Sequence, residues 1–300
     1  MPDLAERRLL LVHAHPDDEA IATGATMAKY ASEGAGVTLV TCTLGEEGEV
    51  LVPELAHLTS DQGDMLGQFR VAELSAACAA LGVSDHRYLG GPGRWRDSGM
   101  AGTPTNERPG SFWQADLDEA TAALVEIVRE IRPQVAISYD ENGAYGHPDH
   151  IQAHRVTMAA VDKAADPKYR PDLGDAWGVS KVYWTALPRT VIARGIEVMK
   201  AAGRDLFGAE SVDELPMVTP DEIVTTAVDG SAFLDRKVAA MRAHATQITA
   251  DGPFFALADG ISHNAFGIEY YQLVVGKAVP DPAADEDLPW RERDLFAGLS

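Results

Sequence analysis

RLLLVHAHPDDE, residues 8–19, and QVAISYDENGAYGHPDH, residues 134–150, each pass from an apolar run into a polar cluster built on His-Pro-Asp. In the first, Arg8 to Ala14 has the composition of a strand buried on both faces of a sheet. Helical spacing follows from about Glu19 to Glu33, and Gly34 can stop it. The same unit recurs. Residues 37–44, VTLVTCTL, are β-branched and strand-like; residues 64–81 are Ala-rich and helical with Gly82 as a stop; His86 to Leu89 make a short third strand. Leu117, Ala120, Leu124, Ile127 and Ile131 then form a helical stripe leading into the strand at 134–140. Strands alternating with helices imply parallel pairing through right-handed crossovers, which is a doubly wound, Rossmann-like α/β fold with a mostly parallel sheet.

Beyond this core, strand-like VSKVYWTAL (179–187), a helix at 190–201, strand-like EIVTTAV (222–228), a helix from about Ser231 to Ala245 and strand-like EYYQLVVG (269–276) predict a smaller C-terminal α+β region. The expected division is a catalytic, metal-binding domain at 1–170 and a region at 171–300 that contributes to the substrate pocket, with a polar, frayed tail from about 280. Two long loops, 45–62 and 90–114, interrupt the regular part, and loops of such length are functional or disordered.

The chain has 300 residues, 46% hydrophobic and 24% charged, enough for a full-sized core. Its net charge of −21 repels nucleic acid and anionic membrane and favours a neutral or cationic small partner. The short apolar run before HAHPDDE cannot serve as a signal core or span a bilayer, so a cytoplasmic location is expected. Cys42 and Cys78, with no CxxC spacing, read as buried apolar fillers. Nothing in the sequence addresses the oligomeric state.

The two polar clusters follow the first and fourth strands. In the strand order 3-2-1-4 those strands are neighbours, and ligands bind at their carboxyl ends where the order reverses. His15 with Asp18, and His147 with His150, are potential ligands three residues apart. One pair and a histidine from the other cluster make a two-histidine, one-carboxylate set that leaves a position open, as a catalytic zinc requires and Fe(II) also favours. Helix capping by Asp17 or Asp18 would explain one such cluster but not two on adjacent strand ends. Asp17, beside a ligand, is placed to take the proton of an activated water. His147 is placed to protonate the leaving amine or polarise the carbonyl, and Tyr145 to donate to the oxyanion.

These motifs resemble the LmbE-like, or PIG-L, metal-dependent deacetylases. Within that family VTCTLGEEGEV, GGPGRWRDSGMAGT and YDENGAYGHPDH are similar to the branch that deacetylates N-acetylglucosaminyl-inositol in mycothiol biosynthesis. The resemblance implies one zinc, or Fe2+, held by His15, Asp18 and His150, with Asp17 as general base and His147 and Tyr145 stabilising the tetrahedral intermediate. It implies an N-acetylated amino-sugar substrate contacted by Arg70, Asp97 and Glu49.

Those substrate positions also have structural readings: a salt bridge from Arg70 to Glu73 or Glu46, and an Asx-turn at Asp97. Trp95 either stacks on a sugar or anchors its loop, and His263 either lines the pocket or is an ordinary loop histidine. His57, His86, His154 and His244 read as structural. A dinucleotide-binding oxidoreductase is excluded because AHPDDE stands where G-x-G-x-x-G should be. A sugar-binding module without catalysis has no use for Asp17 and His147. The rival within the family is the mycothiol S-conjugate amidase, whose lysine after the first motif is replaced here by Ala20, Ile21, Ala22 and Thr23.

Overall fold

The computed structural model describes residues 6–201, 203, 208–249, 266–279, 281 and 291–299. The strands are β1 (Arg8–His13), β2 (Gly36–Thr41), β3 (Asp85–Tyr88), β4 (Val135–Ser138), β5 (Lys181–Ala186), β6 (Thr226–Asp229) and β7 (Ile268–Val275). The helices are α1 (Asp18–Ser32), α2 (Leu66–Leu81), α3 (Leu117–Ile131), α4 (Gly143–Gly146), α5 (Pro148–Ala165), α6 (Arg189–Ala201) and α7 (Leu234–Ala243).

All seven strands join one sheet in the order β3-β2-β1-β4-β5-β7-β6. β1 to β5 pair in parallel, and β7 runs antiparallel to both β5 and β6. The C-terminal α+β region therefore extends the parallel sheet at its edge. β1 lies between β2 and β4, as the reversal of strand order demands.

Alternation along β1 sorts the core into two layers. Leu9 and Leu11 pack with α1, α2 and α7 residues such as Met27, Leu74 and Met241, while Leu10 and Val12 pack with α3 and α5 residues such as Leu124 and Val156. Full burial of each such side chain contributes roughly 1.5–3 kcal/mol. Both faces being covered explains why β1 reads as an unbroken apolar run. α2 stops at Gly82, whose φ of 77° closes the helix in the left-handed region. Leu117, expected in the apolar stripe of α3, is exposed at the first position of the helix.

The expectation about the tail changes. The end of the chain is not frayed where it is described: Arg291, Glu292, Leu295 and Phe296 are buried. Glu292 accepts from Lys181 Nζ and the Tyr183 hydroxyl, both at 2.5 Å, which draws the polar tail onto the sheet. The 90–114 loop is ordered by Trp95, buried against Phe112 with ring centroids 5.8 Å apart, so Trp95 anchors its loop. His263 lies outside the described residues. Cys42 and Cys78 are buried free thiols.

Candidate metal centre and active site

β1 and β4 end side by side, and the segments that follow them carry both His-Pro-Asp clusters to one place. His15 Nδ1, Asp18 Oδ2 and His150 Nε2 face one another at 3.3 Å (His15 to His150), 3.4 Å (His150 to Asp18) and 3.5 Å (His15 to Asp18). Ligand atoms bound tetrahedrally at about 2.0–2.1 Å lie roughly 3.3–3.4 Å apart, so this triangle has the size a zinc ion requires.

The tautomers agree with that use. His15 Nε2 lies 3.2 Å from Asp149 Oδ2 and 3.5 Å from Asp97 Oδ1, so it carries a proton, and Nδ1 is the nitrogen turned towards Asp18 and His150. Asp149 is fixed in turn by the backbone N–H of Ser98 at 2.8 Å and by the Ser98 hydroxyl. Asp18 Oδ2 accepts the His15 N–H at 2.9 Å and the Tyr139 hydroxyl at 2.8 Å. Tyr139 also stacks on His150, centroids 4.1 Å apart, while His150 Nδ1 has no partner among the described residues.

Two other groupings could hold an ion, His15 with His147 and His150, and His15 with Asp97 and Asp149. Hydrogen bonding argues against both. His147 is the N-cap of α5, and its Nδ1 accepts the Asp149 N–H at 3.1 Å, which places the ring proton on Nε2. Asp97 and Asp149 face the proton-bearing nitrogen of His15. Burial alone would lower the His15 pKa, yet Asp97, Asp149 and Asp18 hold it well above the ordinary value. So much buried negative charge around one imidazole suits a site matched by a cation.

Asp17 does not cap α1. It makes no side-chain bond to helix N–H groups and sits at φ 112°, ψ −32°, a conformation that costs an aspartate on the order of 1–3 kcal/mol. Its Oδ2 accepts from Arg70 Nη2 at 3.0 Å. Burial pushes the Asp17 carboxyl up to about 6, against the opposing pull of Arg70. Burial, with His15 and His150, pushes His147 down to about 3, so the ring is neutral. Tyr145, 39% exposed, places its hydroxyl 3.5 Å from His150 Nε2.

The expected sugar contacts are placed differently from one another. Arg70 is only 2% exposed and pairs with Asp17, not with Glu73 or Glu46; it also donates to the carbonyls of Gly45, at 2.7 Å, and Pro16. Asp97 is 4% exposed and forms the Asx-turn, accepting from the Gly99 N–H at 2.8 Å. Glu49 is exposed on the 45–62 loop, and its carbonyl accepts from Gln247 Nε2 at 3.1 Å. Sequence reasoning gave no role to Asp149, Tyr139 or Ser98. Asp149 had a signal, since a ligating histidine needs a carboxylate partner and Asp149 stands in the second cluster. Tyr139 and Ser98 carried none.

The family model PIG-L, described as GlcNAc-PI de-N-acetylase, matches residues 10–161, which span both clusters and the strands that carry them. This chain belongs to the PIG-L family. Among PIG-L relatives, the 1D-myo-inositol 2-acetamido-2-deoxy-α-D-glucopyranoside deacetylase of Geodermatophilus obscurus is 63% identical over 98% of each chain. That of Streptomyces avermitilis is 56% identical over 100% of each. Among solved structures, N,N'-diacetylchitobiose deacetylase from Pyrococcus horikoshii superposes with a TM-score of 0.60 at 19% identity, over 90% of this chain and 84% of the other. GalB, a 4-carboxy-2-hydroxymuconate hydratase from Pseudomonas putida, gives 0.61 at 20% identity, over 92% and 99%. The PIG-L fold thus accompanies more than one chemistry, and function has to be argued from the site. With its buried histidine and aspartate cluster, the chain is a metal-dependent hydrolase that takes a single divalent ion, Zn2+ or Fe2+.

Proposed function

We propose that the protein hydrolyses the acetamide of 1D-myo-inositol 2-acetamido-2-deoxy-α-D-glucopyranoside, releasing acetate and glucosaminyl-inositol. The observation that carries this reading is the His15, Asp18 and His150 triangle with Asp17 beside it, in a chain 63% identical over 98% of its length to a deacetylase of that name. His15, Asp18 and His150 hold the ion. A bound Zn2+ or Fe2+ supplies a Lewis acid that lowers the pKa of water towards about 7 and polarises the amide carbonyl. Asp17, gripped by Arg70, accepts the proton of the attacking water. His147, neutral and carrying its proton on Nε2 at the start of α5, donates a hydrogen bond to the carbonyl oxygen as charge builds there. Tyr145 is the second donor.

Arg70, Asp97 and Glu49 are assigned to the sugar. Arg70 Nε has no partner among the described residues, and Glu49 is exposed at the surface. Asp97, with each oxygen already accepting a backbone N–H, would meet a hydroxyl through its remaining lone pairs. The catalytic, metal-binding part ends near residue 170, and residues 171–300 contribute to the substrate pocket. Gln247 and His244, from the C-terminal region, touch Glu49 and Glu19, which supports a pocket built by both parts. The substrate is a small amide. A cytoplasmic location is also proposed, on the two buried free thiols. Among the described residues no helix is long and apolar enough to cross a membrane.

Zinc-loaded protein assayed for amine release is expected to prefer N-acetylglucosaminyl-inositol to N-acetylglucosamine by kcat/KM. Loss of the inositol should lower kcat as well as raise KM, because remote binding energy orients the amide. Chelation should abolish turnover, and zinc or Fe(II) should restore it. Faster hydrolysis of mycothiol S-conjugates would reassign the substrate, and full activity in metal-free protein would end the reading.

A further inference from the structure

Asp17 holds a left-handed backbone with no side-chain capping bond of its own, so other groups must help keep it there. Its N–H donates to Glu19 Oε2 at 2.9 Å. The other oxygen of the same carboxylate, Oε1, accepts from His244 Nε2 at 2.7 Å. Glu19 and His244 are both 0% exposed, so the pair is a buried charge-assisted hydrogen bond with no competition from water. His244 is the C-cap of α7, 225 residues from Glu19. Two residues further on, the Thr246 N–H and hydroxyl donate to the two oxygens of Glu73 at 2.8 and 2.7 Å, which pins the segment that presents His244 to α2. Among the described residues His244 Nδ1 has no partner, leaving Glu19 as its polar contact there.

The geometry points to Glu19 and His244 as positioning residues for Asp17. They hold the backbone of the base so that its carboxylate lies against Arg70 instead of turning back onto the free N–H groups of α1. This rests on the reading of Asp17 as general base. An aspartate at a helix N-cap would otherwise relax to the extended backbone that caps usually adopt. The relay opposes that alternative: Glu19, in the first turn of α1, takes the Asp17 N–H, and His244, 225 residues away, fixes the Glu19 carboxylate from outside the turn. The C-terminal region thereby shapes the catalytic turn after β1.

The test measures kcat, KM and zinc content for Glu19→Ala, His244→Leu and His244→Gln in the wild-type and Asp17→Asn backgrounds. Glu19→Ala and His244→Leu are expected to lower kcat at least about tenfold with KM and zinc content unchanged. In the Asp17→Asn background they should cost less than about twofold more, because the group they position is already disabled. His244→Gln, whose amide can still donate to Glu19, should stay within about threefold of wild type. Glu19→Ala leaves a buried histidine unpaired, so the double variant Glu19→Ala/His244→Leu carries the same expectation where the single variant does not fold. Equal losses in both backgrounds, or lost zinc in place of lost kcat, overturn the inference while leaving Asp17 as base. An Asp17→Asn enzyme with wild-type kcat overturns the base assignment itself.

Discussion

Asp17 and Asp18 are the same side chain at adjacent positions, and the backbone gives them different work. Asp18, the first residue of α1, turns back to accept the His15 N–H and so faces the two histidines. Asp17, at positive φ, is turned to Arg70. Asp17→Asn is therefore expected to keep its zinc and lower kcat by about 10²- to 10⁴-fold, checked by metal analysis alongside steady-state rates. His150→Ala should do the reverse, losing zinc and activity together, because two remaining protein ligands hold an ion poorly. Zinc lost in step with activity in Asp17→Asn would make Asp17 a ligand. Both aspartates were legible from HPDD as ligand and base candidates. What HPDD could not disclose is the left-handed turn at Asp17, since an aspartate there is disfavoured by its own Cβ.

At the scale of elements, the first turn of α5 carries much of the site. His147 caps the helix through Nδ1, Pro148 sits where no N–H is needed, Asp149 steadies His15 and His150 faces His15 and Asp18. α4 packs close against that turn: a Cβ on Gly143, at φ 59°, would lie 2.6 Å from His150 Cβ, so only glycine fits. Asp149→Asn removes a full charge and allows the side chain to rotate its amide towards His15. It is expected to weaken zinc affinity about 10- to 100-fold, measured by competition with a chromogenic chelator, with a smaller loss of kcat once zinc is saturating. Unchanged affinity would show that His15 is held without it. The sequence spacing indicated that His147 and His150 share a helix start and gave His147 a task at the carbonyl or leaving amine; which of its ring nitrogens meets the Asp149 N–H comes only from the fold.

The whole molecule separates stability from chemistry along the sheet axis. The two His-Pro-Asp clusters stand at the carboxyl ends of β1 and β4, whereas Lys181 begins β5 and pairs beside Val135 at the amino end of β4. There Glu292, buried at 0% exposure, ties the C-terminal segment to Lys181, Tyr183 and Thr226. Glu292→Ala strands a buried ammonium and is expected to cost about 3–5 kcal/mol, seen as a lower denaturation midpoint, while kcat/KM below the transition stays unchanged. A loss of kcat/KM with an unchanged midpoint would mean that the tail acts on the site.

The parallel core and the place of each His-Pro-Asp cluster at a strand end were determined by local sequence, because strand periodicity and the position of each cluster depend on residues near one another in the chain. The burial of Glu292, the Arg70 to Asp17 pair, the Asp149 to His15 bond and the His244 to Glu19 relay were decided only by the tertiary structure. Each joins residues between 53 and 225 positions apart. A charged side chain in a sequence reads as solvated until folding brings its partner, and the cost of burying a charge without that partner selects the arrangement observed.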